Sequence, residues 1–150
     1  MKGILRTILA APVTGIAMAA VLFLTQAAGG DEARKASAIA TDALKWEEMS
    51  AKASGVKIAT VSGEYTKGAW AGFIKFPAGS KSVIHTHSSD LKIVVVSGTF
   101  HYGDTPETER NYGAGSYVFI PANLPHSNSQ PEGALLYAEQ PGKFDNNPVK

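Results

Sequence analysis

In His85-Thr-His-Ser-Ser-Asp-Leu-Lys-Ile-Val-Val-Val-Ser-Gly98, two histidines one residue apart lead into a short apolar block closed by a glycine. Successive side chains of a β-strand point to opposite faces, so residues i and i+2 share one. On that alternation Val83, His85 and His87 face the same way, and so do Leu91, Ile93 and Val95. The intervening Val94 and Val96 make the block apolar on both sides, as expected of a strand in the middle of a packed sheet. Lys92 falls on the face opposite Leu91.

Outward from this stretch the same texture continues. β-rich runs occur at about Val56–Val61, Ala69–Phe76, Ser82–His87, Leu91–Val96, Thr99–Tyr102, Ser116–Ile120 and Ala134–Glu139, separated by glycine, proline and small polar residues. Trp70, Ile74 and Phe76 share one side of their strand. Seven short strands in about 85 residues, with no helical pattern after Ser50, predict an all-β domain: a small closed or two-sheet antiparallel β-barrel. Gly63–Gly68 and Gly103–Gly113, the latter with Asp104, Glu107, Glu109 and Arg110, are expected to be solvated loop tips. Tyr117 and Phe119 alternate just before Pro121, where they would line the barrel or pack in its core. Thr41 to Met49 adds a helical turn or two, with Trp46 expected as a lid over one end of the core.

The chain has 150 residues, 44% hydrophobic, which suits one domain. Its start is different. Lys2 and Arg6 precede an apolar run from Ile8 to Leu24, and Thr25-Gln26-Ala27 places small residues where a signal peptidase would cut. Residues 1–27 are therefore expected to be a signal peptide and 28–50 a linker with a short N-terminal segment; residues 51–150 would form the barrel. An uncleaved anchor is the rival, weakened by Pro12 and Gly15 within the run. The expected location is periplasmic or secreted. There is no cysteine, so no disulfide is available to hold the fold together. Loss of the two cations Lys2 and Arg6 with the signal takes the formal net charge from +1 to −1. No basic field then remains to attract nucleic acid or an anionic membrane.

Two histidines at i and i+2 on a strand bring both imidazoles into one interior, where a ring nitrogen can donate to a divalent metal or simply hydrogen-bond to a carbonyl. Spacing extends the pattern. Gly79 precedes His85 by six positions, and Gly98 follows Leu91 by seven. A second set runs Gly115, Pro121, Asn123, His126. Together these segments resemble the two sequence motifs of the cupin family, over about Gly55 to Gly142. The resemblance implies a conical antiparallel β-barrel of the jelly-roll type, often dimeric, with a divalent metal held inside. It places His85, His87 and His126 at metal-ligand positions. Leu91 stands where the family has a glutamate, Asn123 where it has a turn glycine, and Gln130 where an asparagine often follows the last histidine. Asparagine tolerates the left-handed backbone that a glycine there adopts.

Three imidazoles without a carboxylate leave the charge of a bound ion uncompensated, so a bound water becomes more acidic or an anionic ligand is drawn in. Zinc, iron, manganese, nickel and copper each suit such donors. Some cupins, thiol dioxygenases among them, work with three histidines. Asp90 could replace the glutamate only if a bulge at Ser88-Ser89 turned it inward. His101, between Phe100 and Tyr102, is expected on the surface and would act as a base only if it faced inward. Two functions follow from the resemblance: a metal-dependent oxygenase or related enzyme acting on a small molecule, or a non-catalytic module that binds or senses a metal or small ligand.

Overall fold

The computed structural model describes residues 36–50 and 55–149. Contacts divide the chain into Met1–Ala36 and Ser37–Lys150. The expected signal peptide, 1–27, lies outside the described residues. Among the described residues no helix is long and apolar enough to cross a membrane.

Among the described residues there are eleven strands: β1 (Glu47–Glu48), β2 (Lys57–Gly63), β3 (Trp70–Phe76), β4 (Ser80–Lys81), β5 (His85–Thr86), β6 (Leu91–Gly103), β7 (Arg110–Gly113), β8 (Tyr117–Ile120), β9 (Ser127–Gln130), β10 (Ala134–Gln140) and β11 (Asn147–Pro148). All pairings are antiparallel. The main sheet runs β1-β2-β3-β10-β6-β9-β4, with β7 and β8 also paired to β6, while β5 and β11 form a separate ribbon. Among the described residues helix is confined to two single 3-10 turns, Thr41–Ala43 and Pro106–Thr108.

The two strands expected at Leu91–Val96 and Thr99–Tyr102 are one. The first half of β6 pairs with β8 and β10, the second half with β7 and β9, so this strand joins the two sides of the barrel. The crossing is made at Gly98, which has φ 75° beside a register shift opposite Leu135/Leu136. A Cβ there would lie 2.3 Å from the carbonyl oxygen of Gly133. Only glycine combines that backbone with that close approach.

Alternation sets the interior as expected for Leu91, Ile93 and Val95, which join Val56, Ile58, Trp70, Ile74, Phe100, Val118, Ile120 and Leu136 in a single core. It misplaces the other face. Val94, Val96, Phe119 and Tyr117 are between 38% and 58% exposed, so β6 and β8 present an apolar outer surface, and Tyr117 and Phe119 line neither barrel nor core. Val94 lies opposite Tyr117, and Lys92 opposite Phe119. Of this segment's apolar residues it is Met49, not Trp46, that packs against the buried core, although both are partly buried.

Two segments without apolar periodicity still form strands. Ser127–Gln130 is wholly polar, yet Ser127 and Gln130 are buried in β9. Arg110–Gly113, expected in a solvated tip, pairs with the second half of β6. Glu109 anchors that segment: its carboxylate accepts hydrogen bonds from the hydroxyls of Ser127, at 2.8 Å, and Ser129. Gly63–Gly68 is the hairpin loop expected, its charges exposed and Lys67 paired to Glu64 at 2.9 Å, while Tyr65 packs back against the core.

Candidate metal centre

His85 begins β5 and His126 immediately precedes β9. Their backbones bond to each other in both directions, His85 N–H to His126 C=O at 2.9 Å and His126 N–H to His85 C=O at 3.0 Å. This reciprocal pair fixes the two Cα atoms side by side with their rings on one face. The expected strand Ser82–His87 is shortened to two residues because the chain bends at Ile84; Val83 consequently points outward, away from the side that His85 and His87 share. His87 is held from the other side, its carbonyl accepting from the amide of Asn123 at 2.8 Å. Asn123 has φ 62°, the left-handed conformation that the turn requires.

The three imidazoles converge. Ring centroids lie 4.2 Å apart for His85–His126, 5.0 Å for His85–His87 and 5.1 Å for His87–His126. One nitrogen from each can be chosen so that all lie within 4.8 Å of one another, a set able to hold a metal ion. All three residues are buried, His126 completely.

The other nitrogens decide how these rings are used. Each Nδ1 lies against a backbone carbonyl: His85 on Val83 at 2.9 Å, His87 on Asp145 at 2.5 Å, His126 on Leu124 at 3.0 Å. A carbonyl can only accept, so each ring carries its proton on Nδ1 and leaves the Nε2 lone pair free. Nε2 of His126 is buried with no hydrogen-bond partner. Backbone bonding alone therefore does not account for the cluster, since it satisfies Nδ1 of each ring and leaves Nε2 of His126 buried without a partner. A buried acceptor without a donor costs on the order of 1–3 kcal/mol. A cation at that point would satisfy it, and the Nδ1–H···O=C bond is the usual outer partner of a metal-ligating imidazole.

Burial also keeps the rings neutral. Desolvation lowers the pKa of His126 to about 4, against the bond to Leu124 and aided by His85 and His87. It lowers His85 and His87 as well, against their bonds to Val83 and Asp145. Neutral imidazole is the form that donates to a metal.

Leu91 is buried in the core at the start of β6, so no carboxylate enters from that position. Asp90 does not replace it: its carboxylate accepts from the amide of Ala122 at 2.8 Å, tying the turn after β8 to the start of β6. His101 faces away from the histidine cluster, on the side of β6 opposite Phe100 and Tyr102, beside Asn111 and Ser129. Gln130 is buried on β9 and donates to Asn128.

Two side chains not singled out in the sequence as part of the site close in on the rings. Tyr102 lies 5.5 Å from His126, and Phe144 lies 5.4 Å from His87 and edge-on to Trp70 at 6.1 Å. Tyr102 was within reach of the alternation rule, since it shares a face with buried Phe100. Phe144 follows the last apolar run and carries no periodic signal. Burial, with Asp104 and Tyr112 nearby, raises the pKa of Tyr102, so its hydroxyl keeps its proton at neutral pH.

Comparison with known proteins agrees with this architecture. The sequence profile of the ChrR cupin-like domain matches residues 34–144. No curated protein matches the sequence significantly. Among solved structures, an RmlC-like cupin from Ralstonia eutropha JMP134 superposes with a TM-score of 0.61 at 18% identity, covering 77% of this chain and 78% of that one. An RmlC-like cupin from Shewanella frigidimarina NCIMB 400 gives 0.57 at 22%, covering 71% and 92%. An acetylacetone dioxygenase from Acinetobacter johnsonii gives 0.58 at 17%, covering 73% and 75%. At such identities the likeness is one of fold. With the family profile spanning most of its length and a jelly-roll sheet enclosing the histidines at the motif positions, the chain belongs to the cupin family, as a ChrR-type cupin-like domain.

Proposed function

We propose that this is an exported cupin that holds one divalent metal ion through Nε2 of His85, His87 and His126 and presents the remaining coordination positions to a small molecule. The observation that carries this reading is the arrangement of the ring nitrogens: three Nδ1 atoms sit on backbone carbonyls, one nitrogen of each ring lies within 4.8 Å of the others, and Nε2 of His126 is buried without a partner. A bound ion would supply Lewis acidity or an oxygen-activating centre. The protein's part is to hold three neutral donors in place and to shield them with Tyr102 and Phe144. Leu91 supplies no charge, so a small anion is the ligand this donor set favours. Zinc, iron, manganese, nickel and copper all fit three imidazoles.

Two uses of the centre remain. The enzyme reading, a metal-dependent oxygenase or related activity, draws support from the fold shared with the acetylacetone dioxygenase and from the Tyr102 ring beside His126, whose hydroxyl is a candidate proton donor. The reading as a non-catalytic binding or sensing module draws support from Asp90 and His101, neither of which serves the centre. Elemental analysis of the purified protein and of His87→Ala tests the metal. We expect one equivalent in wild type and a large loss in the variant; no metal in wild type refutes the site. Oxygen uptake with thiols and small dicarbonyls then separates enzyme from binder.

Export rests on the basic start, the Ile8–Leu24 run and the small residues that follow. Mature protein should begin near Ala28 by N-terminal sequencing, and intact Met1 in a membrane fraction would refute cleavage. The apolar outer face of β6 and β8 supports a homodimer. A second copy is its natural cover, because Lys92 and Glu139 lie side by side at its rim and a twofold axis can match one to the other. Phe119→Asp should then shift sedimentation from dimer to monomer.

A further inference from the structure

We propose that Asp145 is a positioning residue that clamps His87 in its metal-ligating orientation, so that the segment after β10 forms part of the metal centre; this rests on the metal reading above. The segment does not end at the last sheet strand. After β10 the chain returns past the β2–β3 loop and then across the β5 turn, bonding to each. Phe144 N–H donates to the Tyr65 carbonyl at 2.7 Å, and its ring lies on His87 and Trp70. β11 pairs with β5, placing Asn147 opposite Thr86 and Pro148 opposite His85. Val149 N–H donates to the Ile84 carbonyl at 3.0 Å.

Asp145 is the member that bears on the ligand itself. Its backbone carbonyl accepts the Nδ1 proton of His87, and its side-chain Oδ1 accepts the amide of Ser88 at 2.8 Å. One residue thus grips two consecutive residues, the ring of the first and the backbone of the second. His85 and His126 differ in this respect. Their Nδ1 partners, Val83 and Leu124, lie two residues away in the same loop and come with the local chain. The partner of His87 is 58 residues away, and only the return of the C-terminal segment brings it there. Loss of the bond to Ser88 would free the Asp145 carbonyl to drift and the His87 ring to turn about its side-chain bonds. By linkage, a metal that needs the ring in place must in turn tighten the segment.

The test uses the full mature chain, with Asp145→Ala and Asp145→Asn compared with wild type. Zinc affinity is measured by competition with a chromophoric chelator, and coordination by the visible spectrum after cobalt(II) loading. Asp145→Ala should bind zinc at least about tenfold more weakly, in the range that loss of an outer partner causes, and shift the cobalt spectrum. Asp145→Asn keeps an oxygen acceptor for Ser88 and should restore both. In wild type, zinc should slow hydrogen exchange at the Ser88 and Val149 amides, a measurement that needs no variant to fold. Wild-type affinity and spectrum in Asp145→Ala, equal weakening in Asp145→Asn, or exchange unmoved by zinc would each overturn the clamp. Wild type that binds neither metal overturns the metal reading itself, and that result is distinct from one in which wild type binds and Asp145→Ala binds equally.

Discussion

Acidification of the metal-free protein isolates the energetic consequence of burying unpaired imidazoles. His126 has an ordinary pKa of 6.5 and one of about 4 in the folded chain. Below pH 6.5 the unfolded chain binds a proton that the folded chain refuses, so stability falls as pH drops through this window and levels off below about pH 4. At roughly 1.4 kcal/mol per pKa unit, His126 alone contributes a loss of up to about 2 kcal/mol between pH 7 and pH 5, and about 3 kcal/mol by pH 4. His85 and His87 shift in the same direction and add to the slope. The window is clean above pH 5, because the lowered carboxyls, Glu64, Glu107 and Asp145, start from values of 4.5 or below. Urea unfolding at half-unit steps from pH 7.5 to 4.5, after chelation, measures the slope. Saturating zinc should raise stability at pH 7 and steepen the acid limb, since protons then compete with the ion. Constant stability between pH 7 and 5 would refute the burial of neutral rings. So would an unchanged slope in His126→Asn.

Other substitutions test the frame around the site. Gly98→Ala forces a Cβ against the Gly133 carbonyl at a positive φ, and should cost about 2 kcal/mol or more in chemical denaturation; a neutral effect would refute the crossing as drawn. Trp70→Phe removes the donor to Gln140 Oε1 in a buried pair and should cost about 1–3 kcal/mol in thermal unfolding, with zinc stoichiometry unchanged. Leu91→Glu restores the family's carboxylate. It should destabilise the metal-free protein by roughly 2–5 kcal/mol through lost core packing while tightening zinc in chelator competition, and weaker zinc binding would show that position 91 does not serve the centre.

Much of this molecule is written in local pattern. Period-two alternation places Leu91, Ile93 and Val95 inside, because one strand face must be dry whatever lies across from it. The spacing of His85, His87 and His126 carries the cupin resemblance and names the three residues that the fold assembles. Local pattern fails where a neighbour supplies the reason. Ser127–Gln130 has no apolar residue, but its backbone is claimed by β6 and β4 and its hydroxyls by Glu109. Val94 and Tyr117 look like core residues by chemistry, yet nothing in the described chain packs over their face. The β-class, the ligand candidates and the missing carboxylate are legible in the residues alone, since these depend on residue type and short-range spacing. Which ring nitrogen faces a carbonyl, and that Asp145 holds His87, emerge only when the chain is folded, because a hydrogen bond across 58 residues depends on where the chain returns.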